Sequence, residues 1–315
     1  MAEHVRNDIT FDDEMFMLYA ANSSSQRPNT PSVWHYTDVK GINGIINPDG
    51  KLKLRFTDSR YLNDSSEGQE ICVVFENACK KALDQSVITQ DFFDLIISTK
   101  PSEYELHIDR AEDKAFYQEF KTYICCFSLS ANLLDMWRYY SKGSPGYSIG
   151  VNTAIIEKLA FLYKENIRFY RVIYDNDKKV DVLIDKIKEV YQIYEKHINY
   201  LPTDYDEQIR NYISNFLKEY QMAFKHECFK NEEEYRIVIS VLNGSKEENK
   251  HLKFRESREG LVPFVDVELP NSNEIINEVY ISPYQDEIYV DSTKSFLRSR
   301  GFACNIEHSK LPVRY

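Results

Sequence analysis

Hydrophobic and polar positions alternate with period two in several short runs, and each run predicts a half-buried strand. Val33–Thr37 is the first, and Lys51–Thr57 follows with Leu52, Leu54 and Phe56 in alternation. Tyr123–Leu129, Tyr147–Val151, Ile167–Tyr174, Tyr235–Leu242, Leu261–Leu269, Asn277–Ile281 and Phe302–Ile306 complete the strand set. Helical spacing predicts a helix over Val39–Ile46 and another carrying Ile71, Val74, Phe75 and Ala78, with Asp64 as N-cap and Glu67 three residues on. Further helices are expected over Asp91–Ser98, Ser102–Phe120, Asn132–Tyr140 and Asp291–Arg300. Val180–Ile198 and Tyr205–Phe224 form a long amphipathic pair joined at Leu201-Pro202-Thr203-Asp204. Strands and helices do not alternate regularly, so the expected class is α+β, with mixed or antiparallel central sheets and helical insertions.

The organisation that follows is a leader helix and linker over 1–31, then a single α+β domain over 32–315. A helical-hairpin insertion lies at about 180–225. The linker is Asn22 to Pro31, polar and proline-bounded. Composition narrows the partners. A net charge of -11 argues against an extensive nucleic-acid platform or an anionic membrane surface. No apolar run approaches the roughly 20 residues of a spanning helix, and the N-terminus has no apolar signal core, so a cytoplasmic protein is expected. The six cysteines show no Cys-x-x-Cys pair and read as free thiols, with Cys125 and Cys126 on opposite strand faces.

Asn231-Glu232-Glu233-Glu234-Tyr235-Arg236 carries the densest chemical signal. Three consecutive carboxylates at the mouth of a β-branched strand repel one another and gain nothing from packing. Arg236 either faces a cleft, binds a phosphate or pairs with an acid such as Glu234 or Asp64. Trp34-His35-Tyr36-Thr37 sets a histidine and two hydroxyls on another strand. No Walker loop, dinucleotide fingerprint or serine nucleophile elbow is present. His226-Glu227-Cys228 lacks a second ligand at metal spacing, so no metal is expected.

Trp34-His35-Tyr36-Thr37, Leu62-Asn63-Asp64, Cys126-Phe127-Ser128, Met136-Trp137-Arg138-Tyr139-Tyr140, Gly146-Tyr147-Ser148-Ile149-Gly150 and Glu233-Glu234-Tyr235-Arg236 occur in that order. The ordered set resembles the bacterial domain-of-unknown-function family 2971, over roughly Val33 to Ser282. Beyond that family it resembles the ADP-ribosyltransferase-like superfamily. This second resemblance implies an enzyme that takes NAD as its substrate. It would transfer ADP-ribose to a protein or nucleic-acid acceptor, or cleave NAD, as a toxin or in phage defence.

By the same resemblance the catalytic set is His35, Tyr140 and Glu234. His35 would bond a ribose hydroxyl, and Tyr139 or Tyr140 would stack on nicotinamide. Glu234 would hold the 2′-hydroxyl and the developing cation. Glu232, two residues before Glu234 on the same strand face, would orient the acceptor. Tyr36, Thr37, Arg55, Arg60, Asn63, Ser128, Tyr139 and Arg236 would bind the cofactor. Ser128 and Ser130 resemble the Ser-x-Ser strand of the arginine-type branch, whose arginine is here His35. Two other readings stay open. A non-catalytic module would bind a nucleotide or a protein, using the tyrosine-rich helices at 180–225 as docking surface. A nuclease would hold Mg²⁺ with Asp64, Glu67 and Glu234.

Overall fold

The computed structural model describes residues 9–22, 29–62, 70–101, 104–109, 114–141, 143–156, 167–245, 250–269 and 274–313. The chain divides into two compact units, one of Met1–Ser24, Ser66–Gln118 and Ile173–Glu227, the other of Ser25–Ser65, Glu119–Val172 and Cys228–Tyr315.

The first unit is mainly helical. It contains α1 (Phe11–Asn22), α3 (Glu70–Asp84), α4 (Gln90–Ile96), α6 (Asn176–His197) and α7 (Tyr205–Ala223). The expected hairpin is thus α6 and α7, within a larger helical group. Its aromatic residues pack on one another: Phe92 lies 5.1 Å from both Tyr191 and Tyr194, and Phe75 lies 6.3 Å from Phe216. Lys179 is fully buried there, with its ammonium 2.6 Å from Glu70 Oε1 and 3.2 Å from Asn176 Oδ1.

The helix expected over Ser102–Phe120 is absent. That stretch holds β3 (Tyr104–Asp109) and the start of β4 (Lys114–Ser128). Tyr104, Leu106 and Ile108 alternate with period two, and Phe116, Phe120, Tyr123 and Ile124 are strand-favouring residues. Backbone pairing then extends β4 well before the Tyr123 expected from the sequence.

The second unit is built on a large, mostly antiparallel sheet. It uses β1 (Ser32–Asp38), β2 (Leu52–Asp58), β4 from Glu119 onward, β5 (Gly146–Asn152) and β6 (Ile167–Arg171). β7 (Glu234–Leu242), β8 (Leu252–Glu256), β9 (Leu261–Leu269), β10 (Ile276–Ile281) and β11 (Asn305–His308) complete it. The order is β11-β10-β5-β1-β4-β2-β9-β8, and β7 pairs with both β4 and β6. Only the β10–β11 pair is parallel among the registered pairs. The observed class is α+β with a mixed sheet. β8 had no sequence signal, because its Leu252-Lys253-Phe254-Arg255-Glu256 run is an exposed edge.

β4 is the branch point. Its Phe120–Ser128 stretch pairs continuously with β7, whereas it meets β1 only at Trp34↔Ser128 and β2 at Thr57↔Ile124 and Asp58↔Tyr123. Beyond Trp34 the β1–β4 ladder therefore opens. One sheet face covers a core of Val33, Phe56, Phe127, Ile149, Tyr235, Ile237 and Val279. α2 (Val39–Ile45) and α8 (Tyr289–Ser299) add Ile42, Ile45 and Leu297 to it. The other face carries Trp34 and Tyr36, covered by Met136 and Trp137 of α5 (Leu134–Tyr140).

Candidate active site

The acidic segment does not enter the sheet as one strand. Glu232 ends a 3-10 turn over Glu227–Glu232, Glu233 has φ +46°, and β7 starts at Glu234. Glu232 and Glu234 are both buried while Glu233, in the left-handed region, is exposed. Placing Glu232 on the same strand as Glu234 is thus corrected: a turn, not strand periodicity, buries it. β4 holds this turn. Ser128 Oγ donates to the Glu232 carbonyl at 2.8 Å and Leu129 N–H to the Glu233 carbonyl at 2.8 Å. The Glu233 carboxylate bonds the Ser130 hydroxyl.

In register, Ser128 faces Glu234 and Cys126 faces Arg236, so these side chains leave the sheet toward the α5 face. Arg236 grips Glu234 in a fork, Nε to Oε1 at 3.0 Å and a terminal nitrogen to Oε2 at 3.1 Å. Their exposures are 1% and 3%, so the pair is desolvated.

His35 leaves β1 one residue past the last β1–β4 pair. There Nδ1 donates across the gap to the Cys126 carbonyl at 3.0 Å; a carbonyl only accepts, so Nδ1 carries the proton and Nε2 keeps a lone pair. The ring meets Phe127 edge-on at 5.5 Å. Burial lowers its pKa, partly opposed by the Cys126 carbonyl, so the imidazole is held neutral. Tyr140, at the end of α5, has its pKa raised well above the ordinary range. Burial is the main cause, followed by the charges of Cys126, Glu232 and Glu234, with Arg236 opposing.

These groups meet. His35, Tyr140, Glu232 and Glu234 line one pocket together with Trp34, Tyr36, Cys126, Phe127 and Met136. Water-sized space within it amounts to about 20 Å³, room for about one water. A neutral imidazole acceptor, a phenol and two buried carboxylates can bind a polyhydroxylated group and stabilise a cation next to it.

Other sequence candidates have different positions. Tyr36 is a scaffold residue: its hydroxyl donates to the Ser130 carbonyl at 3.0 Å and accepts from Leu133 N–H at 2.9 Å. Ser128 is fully buried and acts on the Glu232 backbone as described. Thr37 is half-buried against Gly41, where an added Cβ would lie 1.7 Å from its Oγ1. Arg60 is forked onto buried Asp58, at 3.0 and 2.7 Å. Arg55 lies over the Phe264 ring, 4.1 Å from its centroid, and Tyr139 is 67% exposed; neither lines the pocket. Asn63 lies outside the described residues, as do Asp64 and Glu67. The Cys126 carbonyl was not anticipated as a site group, since backbone atoms leave no mark on sequence.

Fold and site together define an α+β protein whose branched, mostly antiparallel sheet carries a buried Glu–Arg pair beside a half-buried histidine and tyrosine. Residues 136–237 match the model of the family described as a protein of unknown function (DUF2971). The match includes Tyr140 and the Glu232–Arg236 segment, whereas His35 lies upstream of it. No curated protein and no solved structure matches the chain at a significant level.

Proposed function

We propose that the pocket is the active site of an ADP-ribosyltransferase-like enzyme acting on the bond between ribose and nicotinamide in NAD. The observation that carries this reading is the convergence of His35, Tyr140 and Glu234 on one pocket from a strand, a helix and a second strand. In the reaction the C1′–N1 bond breaks and its electron pair leaves with nicotinamide. The ribosyl cation is stabilised by the Glu234 carboxylate, whose oxygens keep lone pairs beyond those given to Arg236. An acceptor oxygen or nitrogen then bonds C1′ and passes its proton to Glu232; water in that place gives ADP-ribose. Neutral His35 accepts a hydrogen bond from a ribose hydroxyl through Nε2. Tyr140 must swing aside to admit the ring, given the pocket's size. An acceptor that is a protein or nucleic acid, and use as a toxin or in phage defence, rest on resemblance to the superfamily.

A second reading has its own support: the pocket admits about one water and Glu234 is already paired, as in a scaffold that binds without catalysis. One experiment separates the two. Purified protein is incubated with NAD and cell lysate, and nicotinamide release is followed for the parent, Tyr140→Phe, His35→Gln and Glu234→Gln. The enzyme reading expects release that drops at least a hundredfold in Glu234→Gln and at least tenfold in the other two, with folding checked by circular dichroism. Release that persists in folded Glu234→Gln, or no release by the parent, overturns it in favour of the binding module.

A further inference from the structure

Apart from the pocket, the outer face of the β2–β9–β8 sheet carries an unbalanced set of charges. Register places Lys53 opposite Glu268, Arg55 opposite Asp266, Thr57 and Lys253 opposite Phe264, and Arg255 opposite Val262. Residues directly opposite share a face, so these side chains all stand on the side away from the Leu54, Phe56, Val265 and Val267 core. The acids of β9 on this face are taken by lysines. Lys253 Nζ reaches diagonally to Asp266 Oδ2 at 2.8 Å, and Glu268 is shared by Lys51 at 3.0 Å and Lys53 at 3.9 Å.

Two arginines are left over. Among the described residues neither Arg55 nor Arg255 has an ion pair or side-chain hydrogen bond. Arg55 lies instead over the Phe264 ring, its Cζ 4.1 Å from the centroid. Arg255 is half-buried, and burial first, then the nearby charge of Arg55, lower its pKa. Arg55 on β2 and Arg255 on β8 stand on one face with β9 between them, and like charges sharing a face disfavour one another. Lysine in their place would be a strongly hydrated point charge, whereas two guanidinium groups present planar forks suited to a phosphate.

We propose that Arg55 and Arg255, with the Thr57 hydroxyl on the same face, form a binding site for a phosphate dianion. An anion bridging the two forks removes the repulsion that the fold leaves between them. The site is local, since the chain as a whole carries a net charge of -11 and does not attract anions by its overall field.

The test is isothermal titration of the full chain at low salt with inorganic pyrophosphate and, separately, with ADP. Saturable binding at one site is expected, weakened at least tenfold by Arg55→Gln and by Arg255→Gln, and also by Arg55→Lys, which keeps charge but loses the fork. Tyr140→Phe should leave this binding unchanged, which separates the site from the pocket. ADP binding tenfold tighter than pyrophosphate identifies a nucleotide as the source of the phosphate; equal affinities identify free phosphate. Absence of saturable binding with both probes, or binding that survives the double Arg55→Gln/Arg255→Gln change, overturns the proposal. Because both side chains lie on an outer sheet face, the variants are expected to fold, and thermal midpoints check this.

Discussion

Arg236 holds both carboxylate oxygens of Glu234, two residues away on the same face of β7, with both side chains almost fully buried. This pair makes Glu234 a structural residue as well as the leading candidate for chemistry. Removing one partner takes a desolvated counter-charge from the other. Arg236→Met is therefore expected to lower unfolding free energy by about 3–5 kcal/mol, and Glu234→Leu with Arg236→Met together by much less. Urea denaturation of the single and double variants measures this. A single variant as stable as the parent would mean that the pair is solvated.

His35 gives a pH dependence of stated sign. Its folded pKa is below the ordinary value of 6.5, so the unfolded chain binds the proton more readily. Its contribution to stability is complete above pH 6.5 and is lost as pH falls from there through the folded pKa. The slope it adds is at most about 1.4 kcal/mol per pH unit. Urea midpoints at pH 7.5 and 5.5 should converge in His35→Gln relative to the parent; an unchanged difference would assign the pH effect elsewhere.

Tyr36→Phe removes a donor to Ser130 and the acceptor of Leu133 N–H, leaving a backbone donor without its partner beneath α5. A loss of about 1–3 kcal/mol is expected. Because Tyr36 also packs on Trp137 at 4.9 Å, the ring contacts remain and tryptophan fluorescence of the folded state should change little.

Gly150 lies under Trp34: an added Cβ would be 2.7 Å from Trp34 Cζ3 and 3.1 Å from the Glu278 carbonyl. Gly150→Ala should cost about 1–3 kcal/mol and displace Trp34, a wall of the pocket. Thermal unfolding and a shifted tryptophan emission report both effects.

Glu233, at φ +46°, tests the turn that buries its neighbours. Glu233→Val should destabilise by about 1–3 kcal/mol, because a β-branched residue is strained there, whereas Glu233→Gly should lie within about 1 kcal/mol of the parent. Equal stability of the two variants would show that the turn is not held in this conformation.

Much of the secondary structure was legible because local pattern dictates it. Leu52, Leu54 and Phe56 alternate in sequence and point to one core in the structure, and β9 spans the expected Leu261–Leu269. Ser102–Phe120 has the sequence appearance of a helix because charged residues mask its alternation, and β8 leaves no sequence signal because an edge strand buries little. Candidate residues were legible by type more than by role. The acidic cluster pointed to Glu234 and Glu232, but Tyr36 and Ser128 proved to be bonded into the backbone, and Arg60 is forked onto Asp58.

The sequence by itself determined most of the strands and helices, the charged mouth of β7, and the opposite facings of Cys125 and Cys126, since these follow from neighbours within a few residues. Tertiary structure alone decided that β1 leaves β4 after Trp34, and so opens the gap in which His35 reaches the Cys126 carbonyl. It likewise decided that Tyr140 closes the same pocket as Glu234. Such meetings depend on strand order and register between segments about a hundred or more residues apart, which no local pattern encodes.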